Sequence, residues 1–328
     1  MPNTKFRWGI LGPGSIANKF ATGLAVLPDH ELYAVGSRTP ERAEAFAKQY
    51  GASKIHSTYE ALAADPDVDA IYAARPHTFH AEDVLTCIAA GKPVLVEKPF
   101  TVNEKQARRI VDASRAAKVF LMEAMWSRFI PATVAARKMI AEGKIGDPLM
   151  IQADFGFRAG INPNGRLFNP DLAGGGLLDV GVYPISFSSM IFGEPTQVAS
   201  LAEIGETGVD FLAGAVLGHS GGRISMISTG IRINTPQAAV VIGAEGTLRM
   251  PAPFWNPRKV VLAAGGKEEE FDFPIAGNGY EFEAIEVANC VRAGKIESDG
   301  LPLDESISVV RTMDKCRAQW GLKYPGEE

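Results

Sequence analysis

Residues 6–17, FRWGILGPGSIA, restrict the fold more than any other part of this 328-residue sequence. An apolar run meets Gly12-x-Gly14-x-x-Ala17 and passes straight into a helical pattern. In such a segment Gly12 permits the tight turn and Gly14 lets a phosphate approach the backbone, while Ala17 keeps the helix close to the strand. The unpaired N–H groups that open the helix, at Ser15 and Ile16, point where an anion would sit. Glycines also serve ordinary strand–helix turns, so the motif acquires meaning only from its context.

That context is an alternating pattern. Apolar runs at Phe6–Leu11, Glu31–Val35, Ala70–Ala73, Val94–Val96 and Val119–Met122 read as strands. Between them, Ile16–Leu27, Pro40–Tyr50, Tyr59–Ala64, His80–Ala90 and Asn103–Ala117 read as helices. Thr39 before Pro40, and Thr101 before Asn103 and Glu104, are helix-start signals. The pattern predicts a doubly wound parallel sheet, an α/β Rossmann domain over residues 1–123. After it come a helix at Pro131–Glu142 and strand-like pieces at Leu149–Phe157, Gln197–Ile204, Phe211–Leu217, Arg223–Ser228, Ala238–Gly243 and Val260–Ala264. An apolar helix at Leu177–Phe192 interrupts them, and helices near Tyr280–Ala293 and Asp304–Trp320 close the chain. The expectation for residues 124–328 is an α+β domain on an open, mostly antiparallel sheet that binds substrate and carries oligomerisation. One face of such a sheet is exposed unless a second subunit covers it, which predicts a homodimer or higher homo-oligomer.

Composition narrows the function classes. Hydrophobic content of 46% and charged content of 22% are those of an ordinary globular protein. A net charge of −5 offers no general attraction to nucleic acid or to anionic membranes. No run approaches the ~18 consecutive apolar residues of a membrane helix. The N-terminus enters its first strand almost at once, so a cytoplasmic enzyme is expected. Cys87, Cys290 and Cys316 are widely spaced and form no CxxC pair. They read as buried apolar residues, not as a disulfide framework or zinc site. Among five histidines only His77 and His80 are close, and no third ligand joins them, so no metal is expected.

After the second strand an NAD-preferring site would offer Asp or Glu to the ribose 2′-hydroxyl. This chain offers Gly36-Ser37-Arg38-Thr39, with Arg42 on the next helix. A guanidinium forks onto phosphate oxygens, and no carboxylate repels them, so NADP is expected over NAD. The alternative is a solvated surface arginine. The loop ARPHTFH at 74–80, after the fourth strand, is expected near the cofactor and carries Arg75, His77 and His80. Arg75 would contact cofactor phosphate or substrate, or point to solvent.

Two further segments bear chemistry. VLVEKPF at 94–100 sets Lys98 at the carboxyl end of a buried strand, where open parallel sheets bind ligands. Near a nicotinamide its pKa would fall, and it could shuttle a proton or assist a proton donor. The plain alternative is a lysine capping the strand end or paired with Glu97. GGGLLDVGVYP at 174–184 spaces Asp179 and Tyr183 four apart, on one face of a regular helix. A tyrosine beside a lysine can act as general acid or base; otherwise Tyr183 is a core tyrosine.

Together, GILGPGSIA, EKP at 97–99, MEAMWSRFIP at 122–131 and GGGLLDVGVYP resemble the glucose–fructose oxidoreductase / inositol dehydrogenase / MocA (Gfo/Idh/MocA) family over essentially the whole chain. MEAMWSRF and DVGVYP are similar to its dimeric dihydrodiol dehydrogenase / NADP-dependent D-xylose dehydrogenase branch. The resemblance implies a Rossmann domain, a second domain whose open sheet often forms a dimer interface, and Lys98, with Glu97, close to the nicotinamide. Many members carry a histidine at the position of Tyr183; the branch uses tyrosine, which implies Tyr183 as acid/base with Asp179 beside it. It also implies Trp126, Arg128 and Phe129 at the substrate mouth, and Phe157, Trp255 and Phe282 in regions that shape the pocket. Arg75 stands where relatives commonly have a small residue.

The resulting expectation is an NADP-dependent oxidoreductase acting on a small molecule, with an aldose oxidised at C1 to a lactone as first choice. The alternatives are a trans-dihydrodiol or dicarbonyl reductase of the same branch, an NAD-dependent glycoside hydrolase, and a non-catalytic NADP-binding sensor.

Overall fold

The structure, a computed structural model, describes residues 5–327. The chain forms two compact units. One comprises the chain up to Thr101, Lys105–Trp126 and Ile275–Asp304; the other comprises Val102–Glu104, Ser127–Pro274 and the chain from Glu305 on.

The first unit is a six-stranded parallel sheet. Its strands are β1 (Phe6–Leu11), β2 (His30–Gly36), β3 (Lys54–His56), β4 (Ala70–Ala73), β5 (Val94–Glu97) and β6 (Leu121–Ala124). They run in the order β3-β2-β1-β4-β5-β6, so the order reverses between β1 and β4. The crossovers are α1 (Ser15–Leu24), α2 (Pro40–Tyr50), α3 (Tyr59–Ala63), α4 (His80–Ala89) and α5 (Glu104–Ala117). Local chemistry sets their ends. Pro40 fixes the first turn of α2, Gly51 closes it at φ +75°, and the Thr58 hydroxyl accepts from Ala61 N at the start of α3. The two central strands, β1 and β4, are apolar apart from Arg7, because helices cover both faces of the sheet; Arg7 is half-buried and pairs with Glu31 at 3.1 Å. Trp8, Phe20 and Tyr72 form the centre of that core, with Trp8 edge-on to Phe20 at 5.0 Å and Phe20 stacked on Tyr72 at 4.0 Å. Truncating one of these rings costs about 3–5 kcal/mol.

The second unit is built on an eight-stranded sheet. Its strands are β7 (Pro148–Gly156), β8 (Gln197–Ile204), β9 (Asp210–Gly218), β10 (Ile224–Gly230), β11 (Ala239–Gly243), β12 (Gly246–Met250), β13 (Lys259–Ala264) and β14 (Lys267–Asp272). The order is β14-β13-β12-β11-β7-β10-β9-β8, antiparallel except where β7 meets β10. Helices α6 (Pro131–Ala141) and α7 (Val182–Phe192) belong to this unit. Burial alternates along β9 and β10, so one sheet face is packed and the other is open. Leu201 (83% exposed), Val216 and Met226 lie on the open face, beside a groove of about 1020 Å³. The stretch Pro170–Phe192 is apolar and long enough to cross a membrane, but 89% of its apolar window is buried inside the protein.

Three findings differ from the sequence reading. The short strands β3, β12 and β14 were not anticipated. The helix Tyr280–Arg292 (α8), expected in the second domain, belongs to the first unit: Asn278 donates to Lys19 O of α1 at 2.8 Å, and Gly23 leaves room for Tyr280. Only the last helix, Leu303–Trp320 (α9), has most of its length in the second unit. Finally, Leu177–Phe192 is not one regular helix. Leu177–Gly181 is a π turn leading into α7, so Asp179 lies in the π turn and Tyr183 in the α-helix that follows it.

Candidate functional site

In the first unit, Gly12 has φ +87°, and a Cβ there would come within 2.6 Å of Arg75 Cγ. Gly14 is exposed, and a Cβ on it would meet nothing within 4 Å. Helix α1 begins at Ser15 with no side-chain cap, so its first N–H groups face open space over Gly14. Ser15 is exposed, Ile16 half-buried, and Ala17 fully buried against the sheet. Room above a glycine turn plus uncapped N–H groups fits a dinucleotide pyrophosphate.

At the end of β2, Ser37 is buried and its hydroxyl accepts from Thr39 N at 3.1 Å. Arg38 and Arg42 are exposed, and no described residue makes an ion pair with either. Arg38 faces a cavity of about 400 Å³ that Tyr59, Arg75, Glu82, Asp83 and Thr86 also line. Arg75 lies between two rings, 4.6 Å from the Tyr59 centroid and 4.2 Å from that of Phe79. Its Nε donates to Asp83 at 2.8 Å, and Nη2 also reaches that carboxylate. Burial opposes both charges and pushes the Asp83 carboxyl up, but the bidentate contact holds Arg75 as a cation.

The loop carrying Lys98 is fixed from several sides. Glu97 is buried; its Oε2 accepts from Lys98 N at 3.0 Å, and its Oε1 accepts from the Tyr72 hydroxyl. Glu123 on β6 accepts from Phe100 N at 3.0 Å. His80 is fully buried, with Pro99 O and Arg75 O each 2.9 Å from a ring nitrogen. Burial pulls its pKa down to about 4, so the ring is neutral and its single N–H serves one of those two carbonyls. His80 thus sits inside the loop, and His77 packs against it with ring centroids 5.8 Å apart. Lys98 itself is half-buried. On β6's outgoing turn Trp126 stacks on Tyr280 at 4.5 Å, and Phe282 is half-buried on α8.

In the second unit, Tyr183 opens α7 and is 7% exposed. Phe155 lies 5.4 Å and Trp255 6.4 Å from its ring, and those two stack at 3.5 Å. Phe157 extends the cluster at 6.4 Å from Phe155. Tyr183, Trp255 and Phe157 are therefore brought together. Asp179 is buried and accepts from Arg166 Nη1 at 2.7 Å. Arg128 is buried and donates to Glu305 through both terminal nitrogens, at 2.7 and 2.5 Å, while Phe129 is half-buried.

Several residues escaped the sequence reading. Tyr59, Phe79 and Asp83 hold Arg75, but nothing local in the sequence joins them. Asp210 is fully buried and accepts from Leu177 N at 2.6 Å; burial pushes its carboxyl up to about 7. A Cβ at Gly175 would sit 2.1 Å from that carboxylate, which explains a glycine before the π turn. Glu283 on α8 is fully buried, and neither carboxyl oxygen has a hydrogen-bond partner. Burial, then the Glu97 charge, pushes its pKa well above the usual carboxylate range. A signal for it did exist: Glu283 lies on the helical stripe of Tyr280, Ala284, Val287 and Ala288.

Comparison with known proteins supplies the family. A model described as an oxidoreductase family with an NAD-binding Rossmann fold matches residues 6–125, and a Gfo/Idh/MocA C-terminal domain model matches residues 133–249. Trans-1,2-dihydrobenzene-1,2-diol dehydrogenase of Mus musculus is 40% identical over 334 residues, spanning 98% of this chain and 99% of the relative. The Homo sapiens protein of that name is 35% identical, with 98% and 99% covered. A 3-ketoreductase from Actinomadura kijaniata, solved with NADP and TDP-benzene, is similar at TM-score 0.86 and 26% identity over 96% of this chain and 98% of that one. An aldose-aldose oxidoreductase from Caulobacter crescentus shares the fold at TM-score 0.88 and 24% identity, with 97% and 98% covered. The two-unit architecture, the glycine turn with its open anion cradle and these full-length matches agree: the chain belongs to the Gfo/Idh/MocA oxidoreductase family and is an NAD(P)-dependent dehydrogenase acting on CH–OH groups.

Proposed function

We propose that this enzyme uses NADP and transfers a hydride between the hydroxyl-bearing carbon of a small cyclic substrate and the nicotinamide. The observation that carries the coenzyme choice is Arg38, a cation at the end of β2 with no ion-pair partner among the described residues and no neighbouring carboxylate in Gly36–Thr39. An uncommitted guanidinium favours a 2′-phosphate, whereas a ribose hydroxyl favours a carboxylate at that point. The residues of the α1 turn fit the pyrophosphate, and a bound nicotinamide supplies the hydride acceptor.

Tyr183 is the proton acceptor for the substrate hydroxyl in this reading. Phe155 and Trp255 flank its ring, and a cation beside the hydroxyl would support the phenolate. Lys98 supplies that cationic support, and Glu97 and Glu123 fix its loop through backbone N–H groups. Asp179 positions Arg166. Trp255 and Phe157 offer a flat apolar wall to the carbon face of a ring.

The substrate we propose first is an aldose oxidised at C1 to a lactone. A trans-dihydrodiol is the second reading, favoured by the names of relatives that are 35–40% identical over nearly the full length. Initial rates of NADPH formation with D-xylose, D-glucose and trans-1,2-dihydrobenzene-1,2-diol decide between them. Turnover of the diol alone would overturn the aldose reading; turnover with NAD but not NADP would overturn the coenzyme reading.

We further propose that the open sheet face around Leu201, Val216 and Met226 is covered by a second copy of the chain, because apolar residues line the groove along that face. A cytoplasmic location is proposed on the sequence features alone.

A further inference from the structure

We infer that Arg75 is a second cation of the coenzyme's 2′-phosphate subsite, with Asp83 as its positioning residue. The inference rests on the NADP reading above and extends it to a residue outside the β2 turn. Arg75 follows β4, at the point where the strand order reverses and ligands collect in open parallel sheets. Its stem crosses the glycine turn so closely that Gly12 has no room for a Cβ. Its head is held in three ways: by Tyr59 on one side, by Phe79 on another, and by Asp83 along the guanidinium edge.

The same cavity of about 400 Å³ receives Arg38, whose guanidinium lies 5.9 Å from the Tyr59 ring. Arg38 and Arg75 thus both approach the Tyr59 ring and both line one cavity, which offers two guanidinium groups to an anion there. Three carboxylates also line or border the cavity. Asp83 is committed to Arg75, Glu82 pairs with Arg109 at 2.7 Å, and Glu60 is exposed and screened by solvent. Arg38 alone would be a flexible surface cation. Arg75 is pre-ordered, so it loses little rotamer freedom when the anion arrives.

The test uses calorimetry with adenosine 2′,5′-bisphosphate and 5′-AMP, which report the adenosine end without turnover. For the wild type, 2′,5′-bisphosphate should bind more tightly than 5′-AMP. Arg75→Met, which keeps the stem over Gly12, should raise the bisphosphate Kd about tenfold and leave 5′-AMP within about threefold. Asp83→Asn removes the competing charge and should tighten the bisphosphate relative to 5′-AMP. Arg75→Lys keeps the charge without the fork, and should fall between wild type and Arg75→Met, which covers the case in which the methionine variant does not fold. Parallel losses for both ligands in Arg75→Met, or in Arg75→Lys should the methionine variant not fold, would show that Arg75 only braces the glycine turn and would overturn the inference. If Arg38→Ala abolishes the bisphosphate preference while the Arg75 variants keep it, the NADP reading stands and this inference falls. If the wild type shows no preference, both fall.

Discussion

Glu283 permits a prediction whose size follows from its surroundings. The side chain is fully buried, neither oxygen is hydrogen-bonded, and the nearest recorded charge is another acid, Glu97. All of this favours the protonated form in the folded protein. In the unfolded chain a glutamate titrates near 4.3. Above that pH the folded state therefore binds one more proton than the unfolded state, and stability must fall as pH rises until Glu283 itself ionises. The slope is about 1.4 kcal/mol per pH unit for as long as Glu283 keeps its proton in the folded state.

Two replacements separate the proton from the polarity. Glu283→Gln keeps an unpaired polar group but cannot titrate; Glu283→Met removes both. Urea unfolding of wild type and variants, measured between about pH 5 and pH 8, reads the difference. Both variants should gain stability relative to wild type as pH rises, by about 1.4 kcal/mol per pH unit while Glu283 keeps its proton. Near pH 4, Glu283→Gln should match wild type, while Glu283→Met should still exceed it by about 1–3 kcal/mol, the cost of an unsatisfied buried polar group. Asp210, pushed up to about 7 by burial, adds a slope of the same sign to all three proteins and cancels in the comparison. Identical pH slopes in wild type and Glu283→Gln would refute the reasoning, because Glu283 would then be ionised in the folded state.

Other outcomes are expected from the candidate site. Arg38→Ala should weaken NADP by roughly 1.5–3 kcal/mol, the size of a hydrogen bond to a charged group, and leave NAD nearly unchanged in a fluorescence titration. Tyr183→Phe keeps the ring packed against Phe155 and should lower kcat by about 10²–10⁴-fold, with thermal stability little altered; near-normal turnover would move the acid/base role elsewhere. Lys98→Met should also cut kcat and shift the basic limb of the pH–rate profile upward, and the double variant should be little worse than the worse single one. Leu201→Glu, on the open sheet face, should yield a monomer in sedimentation at micromolar concentration; an unchanged sedimentation coefficient would count against a dimer through that face.

What the sequence disclosed was whatever short-range periodicity encodes. The runs at Phe6–Leu11 and Ala70–Ala73 are strands with those bounds, because a segment covered on both faces is almost wholly apolar, Arg7 being the one charged residue in the two. β14, KEEEFD, was hidden because a charged edge strand reads as a solvated loop, and edge strands are often charged. The π turn at Leu177–Gly181 was hidden because Leu-Leu-Asp-Val-Gly fits a 3.6-residue period as well as a wider one. α8 showed an apolar stripe, but a stripe does not say which unit it covers. Arg75 was singled out, yet its partners Tyr59 and Asp83 come from α3 and α4, and only the tertiary fold brings these two crossovers to one guanidinium.

Lys98 shows why so many buried polar groups cluster at one strand end. A flexible lysine on a mobile loop would sample many positions, and a catalytic cation must keep one. Here the neighbouring backbone is held on both sides of Pro99: Lys98 N by Glu97 and Phe100 N by Glu123, with a His80 ring nitrogen 2.9 Å from Pro99 O. A bond from N–H to carboxylate is worth about 1.5–3 kcal/mol, so opening this loop would forfeit two such bonds, one to each acid. The neutral His80 completes the set without adding a positive charge that would repel Lys98. Burying Glu97 and Glu123 is costly on its own, and it makes sense only where the backbone they hold must not move. The acids at this strand end thus act on geometry first, through the main chain, as the role proposed for Lys98 requires.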